Sequence, residues 1–218
     1  VTRVSAVVTD IEGTTTPISF VHKTLFPYAR ARLAAFLEEH AGRPDVAAEL
    51  GRVPGDRLST LLAWMDRDEK AGPLKALQGM IWRQGYADGA LRGELYPDVA
   101  PALRRWSQAG VRLAVYSSGS AEAQRLLFEN STEGDLAPLF DGFFDTALGP
   151  KREPASYAAI AAALRLPPSE LLFLSDVEAE LDAAASAGWR VLQLVRPQDG
   201  TLASARHPTA AEFGSIAL

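Results

Sequence analysis

Four short apolar runs, Val4–Val8, Val111–Tyr116, Leu171–Leu174 and Val191–Val195, constrain this chain more than any other feature. A strand wetted on one face alternates apolar and polar residues. These runs are near-continuous instead, as strands are when helices cover both faces of a parallel sheet. Phe143–Thr146 reads as a further short strand. Helical periodicity falls between the runs. Val99, Ala102, Leu103 and Trp106 share a face, as do Ala123, Leu126 and Leu127, then Tyr157, Ile160, Ala161 and Leu164, then Leu181, Ala184 and Ala185. Gly110 and Gly188 each stand between such a stripe and the next strand, where helices close on glycine. From residue 97 onward the chain therefore alternates helix and strand, which predicts an α/β doubly wound, Rossmann-like fold with a parallel sheet.

Residues 20–93 break that rhythm. Leu25, Ala29, Leu33, Phe36 and Leu37 form one helical stripe, Leu58, Leu61, Leu62 and Met65 another, and Leu74, Leu77 and Ile81 a third. No strand pattern occurs among them. The expected organisation is a catalytic core of residues 1–19 and 94–218, with an all-helical lobe of residues 20–93 inserted after the first strand. Such a lobe at the strand ends is suited to act as a lid; the alternative is a subdomain that only adds core. The polar, proline-containing segment from Arg196 is expected to run over the surface.

Polar residues gather where these strands end. Asp10-Ile11-Glu12-Gly13-Thr14-Thr15-Thr16 follows the first run, Ser117-Ser118-Gly119-Ser120 the second, and Ser175-Asp176 the third, while Lys151 stands in a Gly/Pro-bracketed loop. In open α/β sheets ligands bind outside the carboxyl ends of the strands. An Asp there can attack phosphorus and split ester hydrolysis into two easier steps, although alone Asp10 would be a turn or cap acid. Glu12 is placed to protonate the leaving oxygen and then to deprotonate the attacking water. Gly13 permits a sharp turn, and Thr14, Thr15 and Thr16 offer hydroxyl and N–H donors. Ser117 or Ser118 can donate to a phosphate, while Ser120 suits a helix N-cap. Lys151, one of only four lysines with Lys23, Lys70 and Lys75, can neutralise phosphoryl oxygens. Asp176 with Asp10 can hold Mg²⁺. Glu180 either orients Asp176 or a metal-bound water, or is a helix-surface acid; Glu178 and Asp182 read as solvated or capping acids.

Composition excludes several classes. With 27 acidic against 22 basic residues, a net charge of −5 argues against a nucleic-acid surface. The absence of cysteine rules out a disulfide framework or a thiolate metal site and fits a cytoplasmic protein. No apolar run has the length of a membrane span, and no signal-peptide pattern is visible. His22, His40 and His207 lack metal-ligand spacing.

Asp10-x-Glu12-Gly13-Thr14, Ser117, Lys151 and Asp176 resemble the four motifs of the haloacid dehalogenase superfamily of Mg²⁺-dependent phosphatases. The resemblance covers nearly the whole chain and implies a Rossmann-like core, a helical cap after the first strand and one Mg²⁺ per subunit. The usual acidic pair is Asp-x-Asp. Asp-x-Glu, with DIEGTTTPISFVHKTLFPYA, VYSSGSAEAQRLLF, GPKREPASY and FLSDVEAELDAAASAGW, is similar to one branch. Its members enolise and then dephosphorylate 2,3-diketo-5-methylthiopentyl-1-phosphate in methionine salvage. The resemblance implies that Asp10 is nucleophile and metal ligand, that Glu12 is the acid/base with its backbone carbonyl on the metal, and that Asp176 is the second metal acid. It implies substrate binding by Ser117, Ser118 and Lys151, and a monomer. Glu180 falls on a further acidic position where Asp is more usual. Glu12 is the expected enolisation base, with His22, Lys75 or Tyr86 as rivals. Competing readings are a phosphatase for another small ester, a phospho-accepting receiver domain and a phosphate sensor without turnover. The receiver order fails because its phosphorylated Asp follows a later strand, which here ends in Ser117-Ser118.

Overall fold

Six parallel strands lie in the order β3-β2-β1-β4-β5-β6 in the computed structural model. They are β1 (Ala6–Thr9), β2 (Arg112–Tyr116), β3 (Gly142–Phe144), β4 (Leu171–Ser175), β5 (Arg190–Leu194) and β6 (Thr209–Ala210). The structure describes residues 3–218; Val1 and Thr2, which begin the expected core segment, lie outside the described residues. The chain steps from β1 outward to β3, then returns to the other side of β1 for β4. That reversal leaves a crevice beyond the carboxyl end of β1. Register puts Thr9 opposite both Val115 and Leu174, so Asp10, Tyr116 and Ser175 follow at one level.

The middle strands are buried on both faces. Ala6, Val8, Ala114, Tyr116, Leu171 and Phe173 pack with Tyr157, Ile160 and Leu164 of one helix, Leu181 and Ala184 of the next, and Trp189. Val7, Leu113, Val115 and Leu174 are equally buried. The helices of this unit are α6 (Val99–Gln108), α7 (Ala121–Glu129), α8 (Pro154–Leu164) and α9 (Glu178–Ser186). In α7 the buried face is Gln124, Leu127 and Phe128, and in α9 Glu180, Leu181, Ala183 and Ala184. Both faces sit slightly around the helix from the apolar stripes. Gly110 and Gly188 follow α6 and α9 at positive φ, 78° and 84°.

The C-terminal segment corrects the surface-tail expectation. Arg196 and Phe213 are buried, β6 pairs with β5, and the Phe213 ring stacks on Trp106 with centroids 5.4 Å apart. Burying Phe213 and Ile216 outweighs the polar composition around them.

The chain divides into two compact units, one of residues up to Ile18 with Gly93–Leu218, the other Ser19–Arg92. After the short α1 (Ile18–Phe20) and a π-helical turn at Val21–Leu25, the second unit holds α2 (Phe26–His40), α3 (Pro44–Leu50), α4 (Arg57–Asp66) and α5 (Gly72–Ala87). Ala29, Leu33, Phe36, Val46, Leu50, Leu61, Leu74, Leu77 and Ile81 make its core. The sequence pattern misses α3 because only Val46 and Leu50 turn inward from so short a helix. Asp56 caps α4 by accepting from the Ser59 N–H at 2.9 Å, and the Trp82 indole donates to the Leu25 carbonyl of the π turn at 2.9 Å. No helix among the described residues is long and apolar enough to cross a membrane.

Candidate active site

β1 ends in a tight loop that re-aims the chain. The Ile11 carbonyl accepts from the N–H groups of Thr14, Thr15 and Thr16, and the Gly13 N–H donates to the Thr16 carbonyl at 2.9 Å. Gly13 makes the turn at φ +69°, and a Cβ built there would stand 2.5 Å from Asp176 Oδ2. Gly13→Ala therefore costs about 1–2 kcal/mol in the left-handed region and drives the Asp176 carboxylate away. We expect turnover to fall about 100-fold while the chain stays folded, measured by steady-state kinetics beside thermal unfolding.

The loop delivers Asp10 to a buried position. Its Oδ1 accepts from the Ile11 N–H at 2.7 Å, and its Oδ2 receives Lys151 Nζ at 2.7 Å. The same ammonium reaches Glu180 Oε2 at 2.6 Å, and the Ser175 hydroxyl donates to that oxygen at 3.1 Å. Asp176 meets the β1 loop through Thr14, whose hydroxyl accepts from the Asp176 N–H at 3.0 Å and lies 3.4 Å from Asp176 Oδ1.

Lys151 is aimed by its loop. Tyr116 donates to the Gly149 carbonyl at 2.8 Å, Ser156 to Pro150 at 2.7 Å, and Tyr157 to Lys151 at 2.8 Å. Turning these successive carbonyls onto hydroxyls satisfies them where the loop enters the core. Burial pushes the Tyr116 and Tyr157 phenols up, so both remain donors.

The charges do not balance. Asp10, Asp176 and Glu180 face one ammonium. Burial disfavours the charged form of Lys151, but the Asp10 and Glu180 carboxylates outweigh it and hold its pKa above the usual lysine value. Burial, then the Asp10 charge, pushes Asp176 up to about 6 and Glu180 up to about 7. Among the described residues, no three acidic or histidine side chains cluster as a metal cage. Mg²⁺ asks for less, usually one or two carboxylates with water and phosphate oxygens. Two repelling acids in a pocket of excess negative charge fit such a cation.

The imbalance sets a pH dependence. Asp176 and Glu180 bind protons more tightly folded than unfolded, so their contribution is fully present below the unfolded carboxyl values. It is lost as pH rises through about 6 and about 7. We expect the metal-free protein to melt at progressively lower temperature between about pH 4 and pH 7, and millimolar Mg²⁺ to flatten that slope. A metal-free melting temperature that climbs over this range would contradict the assignment.

The profile described as haloacid dehalogenase-like hydrolase matches residues 4–188. The chain belongs to the haloacid dehalogenase-like hydrolases. Enolase-phosphatase E1 of Acidiphilium cryptum is 57% identical over 221 residues, covering 99% of this chain and 95% of its own. Enolase-phosphatase E1 of Pseudomonas aeruginosa strain UCBPP-PA14 is 53% identical, covering 99% of each. These identities place the chain in the enolase-phosphatase branch of the family. Among solved structures, the UTR4 protein of Saccharomyces cerevisiae is similar at a TM-score of 0.85 and 33% identity, covering 98% of this chain and 100% of that one. CbbY of Rhodobacter sphaeroides, at 20% identity and a TM-score of 0.65, shares the fold.

In this family member Lys151 pairs directly with Asp10, while Asp176 is hydrogen-bonded to Thr14 of the loop that Asp10 opens. Glu12, half-buried, and Ser117 and Ser118 stand at the same sheet edge, on the loops after β1 and β2. Ser120 caps α7 by accepting from the Ala123 N–H at 3.2 Å. Glu180 is a buried partner of Lys151 rather than a surface acid. Its spacing of three and four from Ala183 and Ala184 puts it on the buried face of α9, which is the signal in the sequence. Gln124 was missed. Its side-chain amide donates to the carbonyls of Gly119 and Phe144, both at 2.8 Å, and so fixes the serine loop. Glu178 and Asp182 pair with Arg206, and Asp182 also meets His207.

Proposed function

We propose that this protein is an enolase-phosphatase (acireductone synthase), converting the diketo-phosphate through its enol phosphate to the acireductone and phosphate. The observation that carries the reading is Asp10, a buried carboxylate held by a backbone N–H and Lys151 at the end of β1. Identity to proteins named Enolase-phosphatase E1 over nearly the whole chain supports the reading.

The residues then divide the chemistry among them. In enolisation the Glu12 carboxylate takes the carbon-bound proton, and the electron pair moves onto the neighbouring carbonyl oxygen, which takes up a proton from solvent to complete the enol. In phosphoryl transfer an Asp10 oxygen bonds to phosphorus, the ester P–O bond breaks, and Glu12 returns a proton to the leaving oxygen. Water then attacks the aspartyl phosphate, Glu12 takes its proton and passes it to solvent, and Asp10 is released with inorganic phosphate. Lys151 offsets charge on the phosphoryl oxygens, and Ser117 and Ser118 donate to them. Asp10, Asp176 and the Glu12 backbone carbonyl would hold Mg²⁺, which supplies Lewis-acid stabilisation of phosphoryl and enolate oxygens when bound. Two of the three rival bases fit less well. The Tyr86 phenol is buried without a hydrogen-bond partner and is pushed up by burial, which disfavours its phenolate, and His22 is exposed. The protein acts as a cytoplasmic monomer.

The test follows the diketo-phosphate with Mg²⁺, recording enol absorbance and free phosphate together. A transient enol followed by phosphate supports the reading; phosphate released only from other esters overturns the substrate. Loss of both phases in Glu12→Gln supports one base for both steps, and enol formation without phosphate release refutes it.

A further inference from the structure

We propose that Arg196 is a positioning residue for the acid pair: its guanidinium, paired with Asp98, grips the Thr14 carbonyl and so fixes Asp176 against Asp10. Arg196 is 3% exposed, at the end of β5. Nη1 donates to Asp98 Oδ1 at 3.0 Å and to the Ala211 carbonyl at 3.0 Å. Nη2 donates to Asp98 Oδ2 at 2.9 Å and to the Thr14 carbonyl at 3.0 Å. The guanidinium carbon lies 4.0 Å from the centroid of the Tyr96 ring and 5.7 Å from that of Phe213. Asp98 Oδ2 also accepts from the Phe213 N–H at 2.8 Å, so the carboxylate cannot swing away.

A stacked, doubly bonded guanidinium is rigid in a way that a lysine is not. What it holds decides its role. Thr14 is the residue whose hydroxyl accepts from the Asp176 N–H. A second tie runs from the Tyr96 N–H to the Thr15 carbonyl at 3.0 Å. The β1 loop is thus pinned from the side of β5 and α6, and Asp176 is registered against it through Thr14. Gln193 holds Asp176 from the opposite side, donating to its carbonyl at 2.9 Å, and needs neither Arg196 nor Thr14 for that bond. Loosening Arg196 therefore frees the Thr14 side alone. Salt bridges of this kind need no functional role; the bond to a carbonyl of the nucleophile loop gives this one its role.

The consequence for turnover rests on Asp10 and Asp176 being the working acids, as proposed above. The experiment uses the full chain with Arg196→Met/Asp98→Asn, which removes the grip without stranding a buried charge. Arg196→Lys is the second variant, keeping the charge but not the fork, and it carries the comparison if the first does not fold. Site-resolved amide exchange by NMR is the deciding readout. We expect the Asp176 N–H to exchange about tenfold faster while the Ala114 N–H in β2 is unchanged. The turnover number should fall about 10- to 100-fold with the Michaelis constant nearly constant. Unchanged Asp176 exchange overturns the proposal whatever the kinetics, and so does faster exchange with undiminished turnover. If the wild type releases no phosphate, the functional reading fails, and exchange alone decides whether Arg196 positions Asp176.

Discussion

Asp10→Asn abolishes phosphate release, on the order of 10⁴-fold or more, in a protein that remains folded. The amide is isosteric, and its oxygen can accept either the Ile11 N–H or the Lys151 ammonium that the carboxylate accepts at 2.7 Å each. What disappears is the anionic nucleophile. An amide oxygen is a poor attacking group, and no second carboxylate replaces it. Asp176 is held against Thr14, and Glu180 is already engaged by Lys151 and Ser175. The substitution also removes a neighbouring charge that, after burial, raises Asp176 and Glu180. Both acids should therefore titrate lower in the variant, and the metal-free loss of stability with rising pH should shrink. Single-turnover phosphate release measures the first effect, and thermal melts across pH the second. Residual turnover within tenfold of wild type would remove Asp10 as the nucleophile.

The sheet was legible because burial on both faces keeps β1, β2 and β4 apolar except at their ends, where Thr9, Arg112 and Ser175 stand. Asp10 and Asp176 were legible because carboxylates directly after such strands must stand at the sheet's carboxyl edge. Lys151 was legible through the scarcity of lysine and the Gly/Pro-bracketed loop. Contacts that close in space but not in sequence were not legible. Nothing local says that Glu180 turns toward Lys151, that Gln124 holds the serine loop, or that Gln193 reaches the Asp176 carbonyl. Arg196 misled for a related reason. It opens a stretch rich in polar residues, Pro197-Gln198-Asp199-Gly200, yet its partners Asp98 and Thr14 lie 98 and 182 residues away. Hydrophobic periodicity reports which face is buried; it carries no information about which polar group is matched across it.

Lys151→Met should be the most destabilising single change in the site, because one ammonium holds two buried carboxylates. Breaking a buried pair by removing one partner typically costs about 3–5 kcal/mol. Here the loss depends on pH. Glu180 already has its carboxyl raised to about 7 by burial and the Asp10 charge, with Lys151 as the opposing influence. Without the ammonium its value rises further, and protonation becomes the cheaper escape. At about pH 5 a neutral Glu180 no longer needs the lysine and the variant lies closer to wild type; at about pH 8 both carboxylates are charged or must take up a proton, and the deficit is largest. Turnover should also fall about 100- to 1,000-fold at either pH, since the phosphoryl oxygens lose their ammonium. Glu180→Gln is the informative partner. Its amide can accept from Lys151 and from the Ser175 hydroxyl, and it removes the like charge facing Asp10. Alone it should leave stability nearly unchanged or raise it. Combined with Lys151→Met it should recover roughly half of the lost stability, a non-additivity of about 1–3 kcal/mol in the double-mutant cycle. Urea melts of the four proteins at both pH values measure it. Strict additivity, or a Lys151→Met deficit that does not grow with pH, would mean that the ammonium does not hold the two acids together in solution.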